Sequence, residues 1–199
     1  SRGRLGARMS RDLLNQDEIR AFVREAYRAV DVESRAVAEK LYSSEELEGV
    51  PAIALDHALG VGNHLRHARI RAGDTVLDLG CGSGIDSILA SRRTGPSGRV
   101  IALDFLPEML ERTAAAAREA GLDNIEPLEG EMEAIPLPDD SVDCLISNGV
   151  VNLSPRKARV LAECARVLRR DGELCVADLT VEEEELPPEV LTHPAAWAG

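Results

Sequence analysis

Aromatic side chains are scarce in this 199-residue chain: two Phe, two Tyr and one Trp make up 3% of it. Hydrophobic residues still reach an ordinary 44%, so the interior must be assembled from Ala, Val, Leu and Ile. Positive charge is short as well. Lys and Arg number 23 against 35 Asp and Glu, a formal net charge of −12. That balance repels a nucleic-acid backbone or an anionic membrane surface unless a local basic patch overrides it. Charged residues interrupt every apolar run before it could cross a membrane. The basic start, SRGRLGARMS, continues into Arg11 and Asp12, so residues 1–14 read as a flexible leader and not as a secretory signal. Cys81, Cys144, Cys164 and Cys175 contain no Cys-x-x-Cys pair and sit in apolar contexts. Buried free thiols in a reducing, cytoplasmic setting are expected, without zinc or a disulfide.

What is present suits one substantial domain. From Asp17 to Val30, apolar groups at Ile19, Phe22, Val23, Ala26, Tyr27 and Val30 have the spacing of a one-faced helix. Short helices are expected over Glu33–Tyr42 and Ala52–Ala58, with a break at Ser43–Glu46 and Pro51. Residues 15–71 form a helical cap in this reading. After Gly73-Asp74 the rhythm changes to strands at Thr75–Leu79, Gly98–Leu103, Asn124–Leu128, Val142–Ser147 and Glu173–Asp178, alternating with helices. Pro107 opens one of those helices and Gly121 closes it. Ser154-Pro155 starts another, which runs to Leu168 and ends in Arg169-Arg170. Strands apolar throughout, alternating with helices, predict an α/β fold over 72–181: a doubly wound parallel sheet covered on both faces. Residues 182–199 form an acidic, Pro-rich tail whose Glu182–Glu185 run reads as solvated charge.

The chemistry concentrates in Val76-Leu77-Asp78-Leu79-Gly80-Cys81-Gly82-Ser83-Gly84, a strand running into glycines and then a helix. Open α/β sheets bind ligands at that carboxyl edge, and glycines let a ligand approach the main chain without meeting a Cβ. A dinucleotide fingerprint needs G-x-G-x-x-G, but here the third glycine comes one residue early and Ile85 takes its place. A P-loop would need a Lys-Ser/Thr pair, which is absent. Asp78, two residues before the first glycine, suits a ligand bearing an ammonium group better than a pyrophosphate.

This pattern resembles motif I of class I S-adenosylmethionine-dependent methyltransferases, acid-x-Gly-x-Gly-x-Gly, and the likeness extends from Ala72 to Asp178. It implies a Rossmann-like core that binds S-adenosylmethionine and releases S-adenosylhomocysteine. Asp78, Gly80, Cys81, Gly82 and Gly84 would then form the cofactor loop. Asp104, ending the second strand, would accept from the ribose hydroxyls, or cap the Pro107 helix, or both. Glu131 would accept from the adenine amino group, though Glu129 and Glu133 flank it. Phe105, Met109 and Met132 would pack near the base or serve as plain core. Asn148 would face the methionine end.

The flanks are similar to a narrower group, the arsenite methyltransferase-like branch: Leu41-Tyr42-Ser43-Ser44-Glu45-Glu46-Leu47, Ala58–Asn63 and Ser147–Pro155 carry that likeness. The branch's metalloid-binding cysteines fall where this chain has Val61 and Gly149. A soft metalloid needs soft sulfur ligands, so fold and cofactor transfer but arsenite as acceptor is disfavoured. The branch also closes its sheet with strands 6 and 7, which the stretch after Asp178 does not supply. The fifth strand is thus expected to be an edge, covered by a second copy, a partner chain or the apolar tail around Trp197, or else the chain is a fragment of a longer protein, which explains the same fact equally well.

The implied reaction is methyl transfer to a small-molecule acceptor by in-line displacement, with alignment doing most of the work. A base is needed only for a protonated nucleophile. His57, His64, Tyr27, Tyr42 and Asn152 are the candidates for that role or for acceptor contact, His64 first. Two rival readings are a cofactor-binding subunit that is inactive without a partner, and a nicotinamide enzyme, which the glycine spacing disfavours.

Overall fold

In a computed structural model, residues 34–180 are described. The leader, the Tyr27 helix and the tail around Trp197 lie outside them. The described cap holds three short helices: α1 (Arg35–Leu41), α2 (Ser44–Leu47) and α3 (Ala52–Leu55), followed by a 3-10 turn at His64–Arg66. The expected break at Ser43–Glu46 is instead the start of α2. Ser43 accepts from the Glu46 N–H at 3.2 Å and Glu46 accepts from the Ser43 N–H at 2.8 Å, a reciprocal cap that makes a helical turn out of a polar tetrad.

The core follows the predicted alternation: β1 (Thr75–Leu79), α4 (Ile85–Thr94), β2 (Arg99–Asp104), α5 (Pro107–Glu119), β3 (Ile125–Glu129), β4 (Val142–Asn148), a 3-10 turn at Val151–Leu153, α6 (Lys157–Val167) and β5 (Leu168–Ala177). All neighbouring strands pair parallel in the order β3-β2-β1-β4-β5, with Leu77 opposite Ile101 on one side and Leu145 on the other. The central strands β2, β1 and β4 are buried on both faces because they are apolar at successive positions, while β3 and β5 at the two ends are largely exposed. Val76, Val100, Ala102, Cys144 and Ile146 join the cap, α4 and α5 on one face; Leu77, Leu79, Ile101, Leu103 and Leu145 join Val160, Cys164 and Val167 of α6 on the other. The chain winds outward from β1 to β3 on the first face and returns through β4 to β5 on the second. The turning point lies between β1 and β4, where doubly wound sheets open a crevice.

Two boundaries differ from expectation. Helix α6 begins at Lys157, not Pro155, because Ser154 is engaged elsewhere: its hydroxyl donates to the Glu133 carboxylate at 2.6 Å and accepts from the Arg156 N–H at 3.0 Å. Arg169 and Arg170 are not a helix end but belong to β5, in a bulge where Leu168 pairs with Val142 and Glu173 with Cys144. Arg169 is drawn there by the Asp143 carboxylate. The four thiols are free, Cys81, Cys144 and Cys164 buried and Cys175 half-buried. No described helix is long and apolar enough to cross a membrane.

Candidate functional site

At the carboxyl ends of β1, β2 and β4 the backbone bends through Gly80–Gly84, and hydrogen bonds from three directions hold the bend. The N–H groups of Gly80 and Cys81 donate to the Leu103 carbonyl at 2.8 and 2.9 Å. Thr113 of α5 donates to the Gly82 carbonyl at 2.9 Å, and Ser83 donates to the Ala54 carbonyl of α3 at 2.8 Å. Gly80 has φ +77°, and a Cβ there would stand 2.6 Å from both methyls of Val150. Gly82 has φ +52° with nothing within 4 Å of its absent Cβ. The first glycine therefore permits close packing and the second leaves open space.

That space is part of a cleft open to solvent, roofed by Leu41, Tyr42 and residues 57–60 of the cap. Its walls bring together most of the expected residues: Gly80, Cys81, Gly82, Asp104, Phe105, Met109, Met132 and Asn148. Asp104 is held from both sides, its Oδ2 accepting from Gly82 N–H and its Oδ1 from Leu106 N–H, each at 3.0 Å. Burial raises its carboxyl above the usual range, and these backbone donors pull it back. Each oxygen retains a further acceptor site. Asp104 thus lines the cleft and fastens the residue that enters α5, but it makes no cap bond to the helix itself.

Other residues stand elsewhere. Asp78 does not reach the cleft. It is buried beneath the bend, where the Ser87 hydroxyl donates to it at 2.6 Å. Burial, with the Asp86 charge nearby, holds its carboxyl well above the ordinary range. Gly84 turns the chain into α4 at φ +93°, its missing Cβ 2.9 Å from Thr113, and lies behind the wall. Glu131 is exposed, in a bridge with Ala134, while its neighbours Gly130 and Met132 line the cleft. His64 is only 4% exposed, and neither ring nitrogen has a partner; it is absent from the cleft wall, and burial lowers its basicity. Asn152 is held outside by Asp178 and Leu179. Tyr27 lies outside the described residues.

The second acid that lines the cleft, beside Asp104, is Asp86, in the first turn of α4. Tyr42 donates to its Oδ1 at 2.6 Å and Asn148 Nδ2 to its Oδ2 at 3.0 Å. Burial first, then the Asp86 carboxylate, raises the Tyr42 phenol far above its usual range, so it remains a donor. The Asn148 amide is a hub: Oδ1 accepts from Val61 and Gly62 N–H at 2.9 and 3.2 Å, and Nδ2 also donates to the Gly62 carbonyl at 2.8 Å. This amide ties β4 to the cap. An acid two residues beyond the last glycine, in the first helical turn, was a readable signal for Asp86; the contact from Tyr42 was not, being a tertiary one.

The residues fit a nucleoside bearing a cationic amino-acid arm. A glycine floor carries open space at Gly82, Asp104 offers free acceptor positions, Phe105 and Met109 supply an apolar wall, and Asp86 offers negative charge. Comparison with known proteins agrees. Residues 70–198 match the family model described as a methyltransferase domain. The chain is 38% identical over 158 residues to an arsenite methyltransferase of Halobacterium salinarum, covering 79% of this chain and 40% of that protein. It is 38% identical over 111 residues to a demethylmenaquinone methyltransferase of Listeria welshimeri, covering 55% and 47%. Among solved structures, an arsenic(III) S-adenosylmethionine methyltransferase from Chlamydomonas reinhardtii superposes with a TM-score of 0.62 at 36% identity, covering 86% of this chain and 54% of that one. The chain thus spans less than half the length of these curated relatives.

Proposed function

The chain belongs to the class I S-adenosylmethionine-dependent methyltransferase family, and from that premise we propose that it transfers a methyl group to a small-molecule acceptor by in-line displacement. The observation that carries the proposal is the convergence of the glycine bend, the doubly anchored Asp104 and Asp86 on one cleft at the turning point of the sheet. S-adenosylmethionine supplies an electrophilic methyl on a sulfonium whose charge disperses as the methyl moves, so a dry pocket favours reaction. In this reading Asp104 receives the ribose hydroxyls, Phe105, Met109 and Met132 flank the base, and Asp86 attracts the ammonium group. Asp86 thus takes the role first given to Asp78, which supports the bend from beneath. Asn148 and Ser83 hold the cap over the cleft to exclude water.

The acceptor we propose is not arsenite, although two of the relatives are named for arsenic chemistry. A Cβ at Gly149 would stand 3.1 Å from Val61 Cγ1, so the two positions that the resemblance assigns to metalloid thiols are a closed apolar contact. Among the described residues the one thiol on the cleft is Cys81, and burial raises it well above its ordinary value, leaving it protonated. A second observation supports a partner. On β5, an edge strand of the described sheet, Leu174 and Val176 are 40% and 39% exposed, the surface that a second copy or another chain would cover.

Calorimetry with S-adenosylmethionine and S-adenosylhomocysteine on wild type and Asp104→Ala tests the site. The product is expected to bind at least comparably to the cofactor, and the variant to bind both about 10- to 150-fold more weakly, the loss of hydrogen bonds to a charged group. Unchanged affinities would remove Asp104 from the site.

A further inference from the structure

Resting on the methyltransferase reading, we infer that His57 is the catalytic base, taking the proton of an acceptor that enters the cleft neutral and protic, as a hydroxyl or a thiol. The argument begins with charge. Among the described residues no Lys or Arg lines the cleft, whereas Asp86 and Asp104 do. No cationic side chain on the wall is there to ionise a hydroxyl or thiol in advance, so such an acceptor enters with its proton on and must lose it as it attacks.

The cleft holds few groups able to receive that proton. Tyr42 and Cys81 are themselves protonated donors, raised by burial. Asp86 and Asp104 each accept two hydrogen bonds from the protein, and in the proposed reading their remaining acceptor positions face the cofactor's ammonium and ribose. His57 is different. Its Nδ1 lies 3.1 Å from the Ile53 carbonyl, which can only accept, so Nδ1 carries the hydrogen. The other nitrogen, Nε2, makes no hydrogen bond to a described residue, and it is the one that holds the lone pair when the ring is neutral. A backbone carbonyl that fixes the tautomer of an imidazole is the usual way a histidine is prepared as a base. The ring is also placed: it follows α3, whose Ala54 carbonyl is bound by Ser83 of the glycine bend at 2.8 Å. His64, by contrast, is sealed in the interior.

The step balances. The acceptor's lone pair forms the bond to the transferred methyl carbon, the C–S bonding pair returns to sulfur, and the X–H proton passes to His57 Nε2 and from there to solvent.

Nitrogen-15 NMR of the imidazole groups in the full chain saturated with S-adenosylhomocysteine tests this without turnover. His57 is expected to carry its proton on Nδ1, and catechol or thiophenol, added separately, to shift its Nε2 resonance; the two probes separate oxygen from sulfur acceptors. In turnover of whichever probe is methylated, His57→Gln is expected to lose about 10²- to 10⁴-fold in rate with S-adenosylhomocysteine affinity unchanged, and added imidazole to restore part of the rate to His57→Ala. A proton on Nε2, an Nε2 signal indifferent to both probes, or a full rate in His57→Gln would overturn the proposal. Failure of wild type to bind S-adenosylhomocysteine would strike the methyltransferase reading instead.

Discussion

A single methyl group at Gly82 separates the binding role of the glycine bend from its structural role. Gly82 has φ +52° and open space around its absent Cβ, so Gly82→Ala costs the fold the left-handed penalty of an L residue, about 1–2 kcal/mol, and no clash. The added methyl cannot be carried aside. The Gly82 N–H is bound to Asp104 and its carbonyl to Thr113, so the methyl enters the cleft that the residue lines. Gly121 supplies the control: φ +67°, nothing within 4 Å, and a position past α5 away from the cleft. The assay is thermal melting with and without S-adenosylhomocysteine at a hundredfold excess over its Kd. Wild type and Gly121→Ala are expected to gain about 2.7 kcal/mol, a rise in Tm of about 5–11 °C. Gly82→Ala, if its affinity falls a hundredfold, gains only about 0.4 kcal/mol at the same concentration. If Gly82→Ala and Gly121→Ala respond to ligand alike, the bend does not bind it, and the assignment of the cleft fails with it.

Two further outcomes concern the frame around the cleft. Glu163 is buried and accepts from Arg166 at 2.8 Å and from the Ile135 N–H at 3.0 Å; hydrogen bonding from Arg166 holds its carboxyl below the ordinary glutamate value. A lowered folded value stabilises the protein above the unfolded value and loses that contribution as pH falls through the folded one. Glu163→Gln should therefore cost about 1.5–3 kcal/mol at neutral pH and flatten the acid side of a plot of Tm against pH; parallel wild-type and variant curves would contradict this. On β5, Val176→Lys should shift the mass seen by light scattering toward the monomer if a second copy covers that edge, and an unchanged mass would leave the edge to a different chain.

The parts of the fold that were legible are those fixed by near neighbours in sequence. Thr75–Leu79 is a β-branched and apolar run that ends in glycines, and no other conformation buries it as well; β1, the bend and α4 follow from those ten or so residues. Asp104 was legible because its distance from the bend is set by one helix and one strand. Where a residue's place depends on what packs against it, local spacing did not separate two similar residues. Asp78 and Asp86 each stand two residues from a glycine of the bend, yet strand alternation turns Asp78 inward beneath Ser87, while Asp86 lines the cleft. His64 departs from the resembling pattern, yet it is sealed inside without partners, while His57, one turn beyond Ile53, has its tautomer set by that carbonyl. The same logic moved the start of α6, since Ser154 is occupied by Glu133 from a distant connection. The contacts that decide the acids and Ser154 join residues 9 to 44 apart that sequence spacing does not pair, whereas the His57 contact spans a single helical turn. The glycine bend proposed to hold the cofactor is thus written locally, whereas the residues proposed to meet the acceptor are set by how the cap packs on that bend.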